Sequence, residues 1–105
     1  MNLERHLHAY LKKHAKKNKI DFYKMECVGR SGFPDVLLTY KGWTLFIELK
    51  SPSGTGRLSA RQRLMLSGLI KADQETYVIQ SKEEADQIIE GLTKRKPRCL
   101  HKPII

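Results

Sequence analysis

Gly32-Phe33-Pro34-Asp35-Val36-Leu37-Leu38-Thr39-Tyr40-Lys41-Gly42-Trp43-Thr44-Leu45-Phe46-Ile47-Glu48-Leu49-Lys50 is the stretch that decides the architecture. Two runs rich in β-branched and aromatic residues, 35–40 and 43–50, flank Lys41-Gly42, and a two-residue connection ending in glycine signals a tight hairpin. With that loop Tyr40 faces Trp43, and the register carried outward sets Asp35 opposite Glu48. Strand alternation places Asp35, Leu37 and Thr39 on one face with Phe46, Glu48 and Lys50. Val36, Leu38, Tyr40, Leu45, Ile47 and Leu49 form the opposite, apolar face. Two carboxylates facing each other at about 5 Å between Cβ atoms destabilise a sheet unless something compensates them. A hard divalent cation held by carboxylate oxygens does so, and Lys50, on the same face, is placed to position a nucleophile or steady a phosphate.

Outward from the hairpin the chain alternates helix and strand. Leu3, Leu7, Tyr10, Leu11 and His14 recur at helical spacing, so a helix is expected over about 3–17, followed by a short strand over 20–25 and a glycine-containing loop over 28–32. A flexible segment, Ser51-Pro52-Ser53-Gly54-Thr55-Gly56, leads to Ser59-Ala60-Arg61-Gln62, a capping box opening a helix to about Lys71 with a buried stripe of Gln62, Met65, Leu66, Leu69 and Ile70. The strand Thr76–Gln80 runs into a second capping box at Ser81–Glu84 and a helix carrying Ala85, Ile88, Ile89 and Leu92. The order is α-β-β-β-α-β-α, an α/β chain with one domain over 1–93 and a basic C-terminal tail over 94–105.

The 105 residues carry 20 Lys plus Arg against 11 Asp plus Glu, a net charge of +9. Such a balance fits a polyanionic partner. No window reaches the roughly 20 apolar residues of a membrane span and the N-terminus lacks a secretory h-region, so a soluble cytoplasmic protein with no membrane partner is expected. Cys27 and Cys99 lack disulfide or metal spacing and are read as reduced thiols.

Gly32-Phe33-Pro34-Asp35, Phe46-Ile47-Glu48-Leu49-Lys50 and Ser59-Ala60-Arg61-Gln62, taken with the element order, resemble the VRR-NUC domain of the PD-(D/E)xK nuclease superfamily, near archaeal-type Holliday junction resolvases. The similarity spans about residues 3 to 90. It implies a restriction-endonuclease-like αβββαβ core, a mixed four-stranded sheet flanked by helices, and Mg²⁺- or Mn²⁺-dependent hydrolysis of DNA phosphodiesters. Carried over position by position, Asp35, Glu48 and the Leu49 carbonyl would bind metal and Lys50 would be the catalytic lysine. Glu4 matches the first-helix acid of many relatives, a further metal ligand, and has a plain alternative as a first-turn acid facing the helix dipole. Gln62 resembles the family's helix glutamine near the site, a catalytic role compatible with capping.

Backbone contacts to DNA are expected from Lys12, Lys13, Lys16, Lys17, Arg30, Ser31, Arg57, Arg61, Arg63, Lys94, Arg95 and Lys96, contacts that position without reading sequence. His6, His8 and His14 are read as solvated or facing nucleic acid, with only His14 on the apolar face. Residues 53–56 are read as a linker, and Tyr40 and Trp43 as core. One small domain supplies one site and junction resolution needs two cuts, so a homodimer acting on branched DNA is expected, with no small-molecule substrate. A flap nuclease and a non-catalytic nucleic-acid-binding module are the alternatives.

Overall fold

Leu7, Leu11 and Ala15, spaced by one helical turn, are fully buried along α1 (Leu3–Lys17), while Lys12, Lys13, Lys16 and Lys17 stay in solvent. In the computed structural model, which describes residues 3–29, 31–51 and 57–99, this helix is followed by β1 (Asp21–Lys24), β2 (Val36–Tyr40), β3 (Trp43–Leu49), α2 (Ala60–Lys71), β4 (Thr76–Ile79) and α3 (Lys82–Thr93). The strands form one mixed sheet in the order β1-β2-β3-β4. The first two pairings are antiparallel and β4 joins β3 in parallel, which the intervening helix α2 makes possible. Sheet and helices together give the expected α/β class.

The hairpin forms as the residues dictate. Lys41 and Gly42 both adopt positive φ, 45° and 91°, the pattern of a turn that follows the sheet's twist. Tyr40 pairs with Trp43 and Val36 with Ile47. Val36, Leu38, Leu45, Ile47 and Leu49 are buried together with Leu7, Leu11 and Ala15 of α1 and Ala85, Ile89 and Leu92 of α3. Those two helices cover the apolar face, and Tyr40 and Trp43 pack at its margin.

The helix opened by the first capping box, α2, begins where its sequence says. The Ser59 side chain accepts from the Gln62 N–H while the Gln62 side chain accepts from the Ser59 N–H, the reciprocal arrangement of a capping box. Ser81 caps α3 through the N–H of Glu84. The expected α2 stripe needs one correction: Leu66 is buried and Met65 and Leu69 half-buried, but Ile70 is 59% exposed. The helix lies edge-on to the sheet, chiefly along β4, so an apolar residue on its flank stays in water.

Two glycines are fixed by close approach as well as by positive φ. A Cβ on Gly42 would lie 1.5 Å from the Arg98 carbonyl oxygen, because the chain after α3 crosses the hairpin turn there. The Arg98 N–H donates to the Lys41 carbonyl at 2.7 Å and the Trp43 indole N–H to the Lys96 carbonyl at 2.9 Å. Residues 95–98, the described start of the basic tail, are therefore strapped to the turn. At Gly32, φ is 89° and a Cβ would lie 2.7 Å from the Arg61 backbone carbon, so the loop before Pro34 rests directly on the first turn of α2.

Candidate active site

Asp35 is held just before β2 by its own backbone, whose carbonyl accepts the Met25 N–H at 2.7 Å. One step beyond the Val36–Ile47 pair, it sits beside Glu48, and its Oδ2 accepts the Leu49 N–H at 3.1 Å. Pairing on both sides, to β2 and to β4, buries this part of β3: Glu48 is 1% exposed and Lys50 9%.

Gln62 ties the site together from α2. Its Nε2 donates to Glu48 Oε2 at 3.0 Å, and its Oε1 accepts from both the Lys50 ammonium at 3.0 Å and the Ser59 N–H at 2.8 Å. Lys50 Nζ also lies 3.8 Å from Glu48 Oε2. The capping box and the site thus share one side chain, and Gly32 fixes the height at which α2 delivers it.

Glu48 Oε2 is satisfied, but its Oε1 is buried with no hydrogen-bond partner among the described residues. Burial, above all, and then the negative charge of Asp35 push the Glu48 carboxyl up to about 8, against the opposing pull of Lys50; Glu4 adds to the rise. An orphaned carboxylate oxygen beside a second carboxylate is the arrangement a hard cation relieves, and oxygen donors are what such a cation prefers. Asp35, Glu48 and a β3 backbone carbonyl fit Mg²⁺ or Mn²⁺, which keep several waters of their own. Among the described residues no group of three or more His, Cys, Asp or Glu side chains converges to hold a metal.

Outside these groups opens a cleft of about 540 Å³ lined by Glu4, Arg5, His8, Lys24, Met25, Asp35 and Leu49. Glu4 therefore faces the same space as Asp35. His8 is the residue that helical spacing missed. Its ring packs edge-on against Phe22 at 5.1 Å between centroids, and its Nε2 is buried without a partner. Burial first, then Lys24, hold the imidazole below its ordinary value, with Asp35 pulling the other way. The strand β1 and the loop at Met25 close the cleft over α1, a contact that the spacing of α1 alone does not reveal.

The basic residues divide. Lys12, Lys13 and Lys16 are exposed on α1, and Ser31, Arg57, Arg61 and Arg63 are exposed around the N-terminus of α2. Lys94 pairs with Glu90 at 2.8 Å. Arg95 forms a two-pronged pair with Glu75 and stacks over Trp43, 4.6 Å from the ring centroid, at the other end of β3 from Glu48. Arg30 and residues 53–56 lie outside the described residues. His14 stacks on Tyr10, and Cys27 and Cys99 are exposed thiols. No described helix is long and apolar enough to cross a membrane.

A solved structure described as a VRR_NUC domain shares this fold, with a TM-score of 0.76 at 24% sequence identity, covering 86% of this chain and 97% of that one. No family model matches the sequence, and no curated protein does.

Proposed function

We propose that this protein is a Mg²⁺- or Mn²⁺-dependent nuclease that hydrolyses phosphodiester bonds in branched DNA, four-way junctions foremost, as an intracellular homodimer. The observation that carries the reading is Glu48: a buried carboxylate with one orphaned oxygen, set beside Asp35, in a chain whose net charge is +9. A purely structural acid would find a donor for both oxygens. The shared fold with a VRR_NUC domain supports the same class of chemistry.

A divalent cation held by Asp35, Glu48 and the Leu49 carbonyl would supply Lewis-acid polarisation of a phosphoryl oxygen and lower the pKa of a water molecule. The protein's own groups do the rest. Asp35 is oriented by the Leu49 N–H, and Glu48 by Gln62. Lys50, anchored by Gln62 Oε1, keeps two further protons to orient the attacking water or meet charge developing on the phosphate. Because Gln62 is itself held by Ser59, Lys50 is positioned before any substrate arrives.

Each chain offers one such site, and a junction needs two symmetric cuts, which favours a twofold dimer. The test is incubation of the protein with labelled four-way junctions, flaps, duplex and single strands in Mg²⁺, Mn²⁺ or EDTA. Metal-dependent paired nicks in the junction are expected. Preferred cutting of flaps would shift the substrate within the class, and binding with no cleavage in either metal would leave a non-catalytic binding module.

A further inference from the structure

A second cleft, of about 340 Å³, lies further along α1 and is lined by Lys12, Lys16, Lys19, Ile20, Asp21 and Phe22. It adjoins the first. His8 lines the catalytic cleft, Phe22 lines the second, and the two rings touch edge-to-face at 87°, so one aromatic wall divides two adjoining depressions. Lys24 and Lys12, one from each side of that wall, both lie close enough to act electrostatically on His8.

The lysines of this second cleft are set apart by being gathered: three of them line one depression beside the paired carboxylates. Lys94 and Arg95 are neutralised by Glu90 and Glu75, and Lys50 is taken up by Glu48 and Gln62. No carboxylate lies within ion-pairing distance of Lys12, Lys16, Lys19 or Lys24 among the described residues. Four ammonium groups without an ion-pair partner thus stand about two adjoining depressions, and the one carboxylate of the second, Asp21, accepts from the Thr39 hydroxyl. Like charges gathered without counterions cost stability, and an anionic polymer repays that cost by releasing its own condensed cations.

We propose that this depression is the track of one DNA backbone: the strand passes from Asp35 over the His8–Phe22 wall and lays its next phosphates against Lys12, Lys16 and Lys19. The inference rests on the nuclease reading and adds to it the side on which the substrate extends. From His8 to Lys16 the helix rises about 12 Å, room for three to four nucleotides of one strand along a duplex axis. Protein contacts are thus expected within that many nucleotides of the cut on one side.

The experiment compares two charge-matched double variants by fluorescence anisotropy, binding a labelled four-way junction in EDTA so that nothing is cleaved. Lys16→Ala with Lys19→Ala removes two charges from the track. Lys71→Ala with Lys82→Ala removes two from the C-terminal turn of α2 and the start of α3. The first pair should weaken binding at least tenfold at moderate salt and reduce the log–log salt slope by about 1.8, two phosphates at about 0.9 each. The second should change the slope by a small fraction of that. Equal losses would overturn the track and leave only net charge. A second readout needs no variant: lysine acetylation of the native protein with and without the junction should protect Lys12, Lys16, Lys19 and Lys24, and leave Lys71 and Lys82 reacting as before. Protection of all six alike would also overturn the proposal. Cleavage in Mn²⁺, followed separately, distinguishes the two readings: equal losses with cleavage intact sink the track alone, and selective loss with no cleavage sinks the nuclease reading alone.

Discussion

Glu75, immediately before β4, and Glu48, opposite the far half of the same strand, receive opposite treatment. Glu75 accepts two hydrogen bonds from the Arg95 guanidinium and one from the Tyr77 hydroxyl at 2.6 Å; chiefly through Arg95 its carboxyl is held below the usual carboxylate range. Arg95 in turn stacks on Trp43 with Arg98, and the strap of residues 95–98 is locked to the hairpin turn. Glu48 is more deeply buried, yet one of its oxygens has no partner and its carboxyl is pushed up to about 8. One end of the sheet uses its charges to close the fold. The other leaves a carboxyl oxygen unanswered inside it, the feature on which the cation reading rests.

The largest effects belong to the unanswered end and are read as activity. Lys50→Ala should slow junction cleavage by about 10²–10³, the usual cost of losing one preorganised electrostatic group, with DNA binding in EDTA nearly unchanged. Cleavage at the native rate would remove Lys50 from the chemistry. Gly32→Ala should lower cleavage as well, since the added methyl displaces the first turn of α2 and with it Gln62; the measurement is the cleavage rate alongside a melting curve, and a rate matching the native protein would break the link between loop and helix.

At the closed end the effect is on stability. Arg95→Ala removes two of the three donors to Glu75 and one of the two guanidinium groups over Trp43, and should cost about 1–3 kcal/mol in a urea titration, with little loss of cleavage by the folded protein. A large, selective loss of DNA binding instead would move Arg95 to the substrate interface and erase the contrast.

The last contrast is the pH dependence of the metal-free fold, and the two carboxyls push it in opposite directions. Glu48 has a folded pKa of about 8 against an ordinary 4.5, so the folded state holds its proton longer and stability falls as pH rises from about 4.5 to 8. Glu75 has a lowered folded pKa, so its contribution is full above the ordinary value and fades as pH drops through and below it. Melting curves in EDTA should therefore decline between pH 5 and 8, and Glu48→Gln should flatten that decline. A decline unchanged in Glu48→Gln would assign it to other groups.

Much of this was readable in the residues because the decisive contacts are local or periodic. Lys41-Gly42 and two alternating runs set the register, and the register alone brings Asp35 to Glu48. Ser59-x-x-Gln62 announced the start of α2, and the same glutamine then faced the site. What stayed hidden depends on elements distant in sequence. His8 enters the cleft because β1 and Met25 close over α1, and Arg95 meets Glu75 from beyond α3, 20 residues away in the chain. Gly32 is small because the backbone of Arg61 lies against it. The Lys94–Glu90 pair, four residues apart on one helix, was within reach of the sequence, and a count of basic residues passed over it.

The central claim is that Asp35 and Glu48 form a cation site, and metal binding without DNA tests it most directly. The melting temperature of the native protein and of Glu48→Gln should be measured at pH 7.5 in EDTA and across a Mn²⁺ titration. The native protein should gain about 2.7 kcal/mol at a hundredfold excess of Mn²⁺ over its dissociation constant. That gain should weaken as pH falls, because the metal competes with the proton on Glu48. Glu48→Gln should melt at or above the native protein in EDTA and gain nothing from Mn²⁺. A native protein indifferent to Mn²⁺, with Glu48→Gln clearly less stable in EDTA, would contradict the account and make the buried acid part of the scaffold.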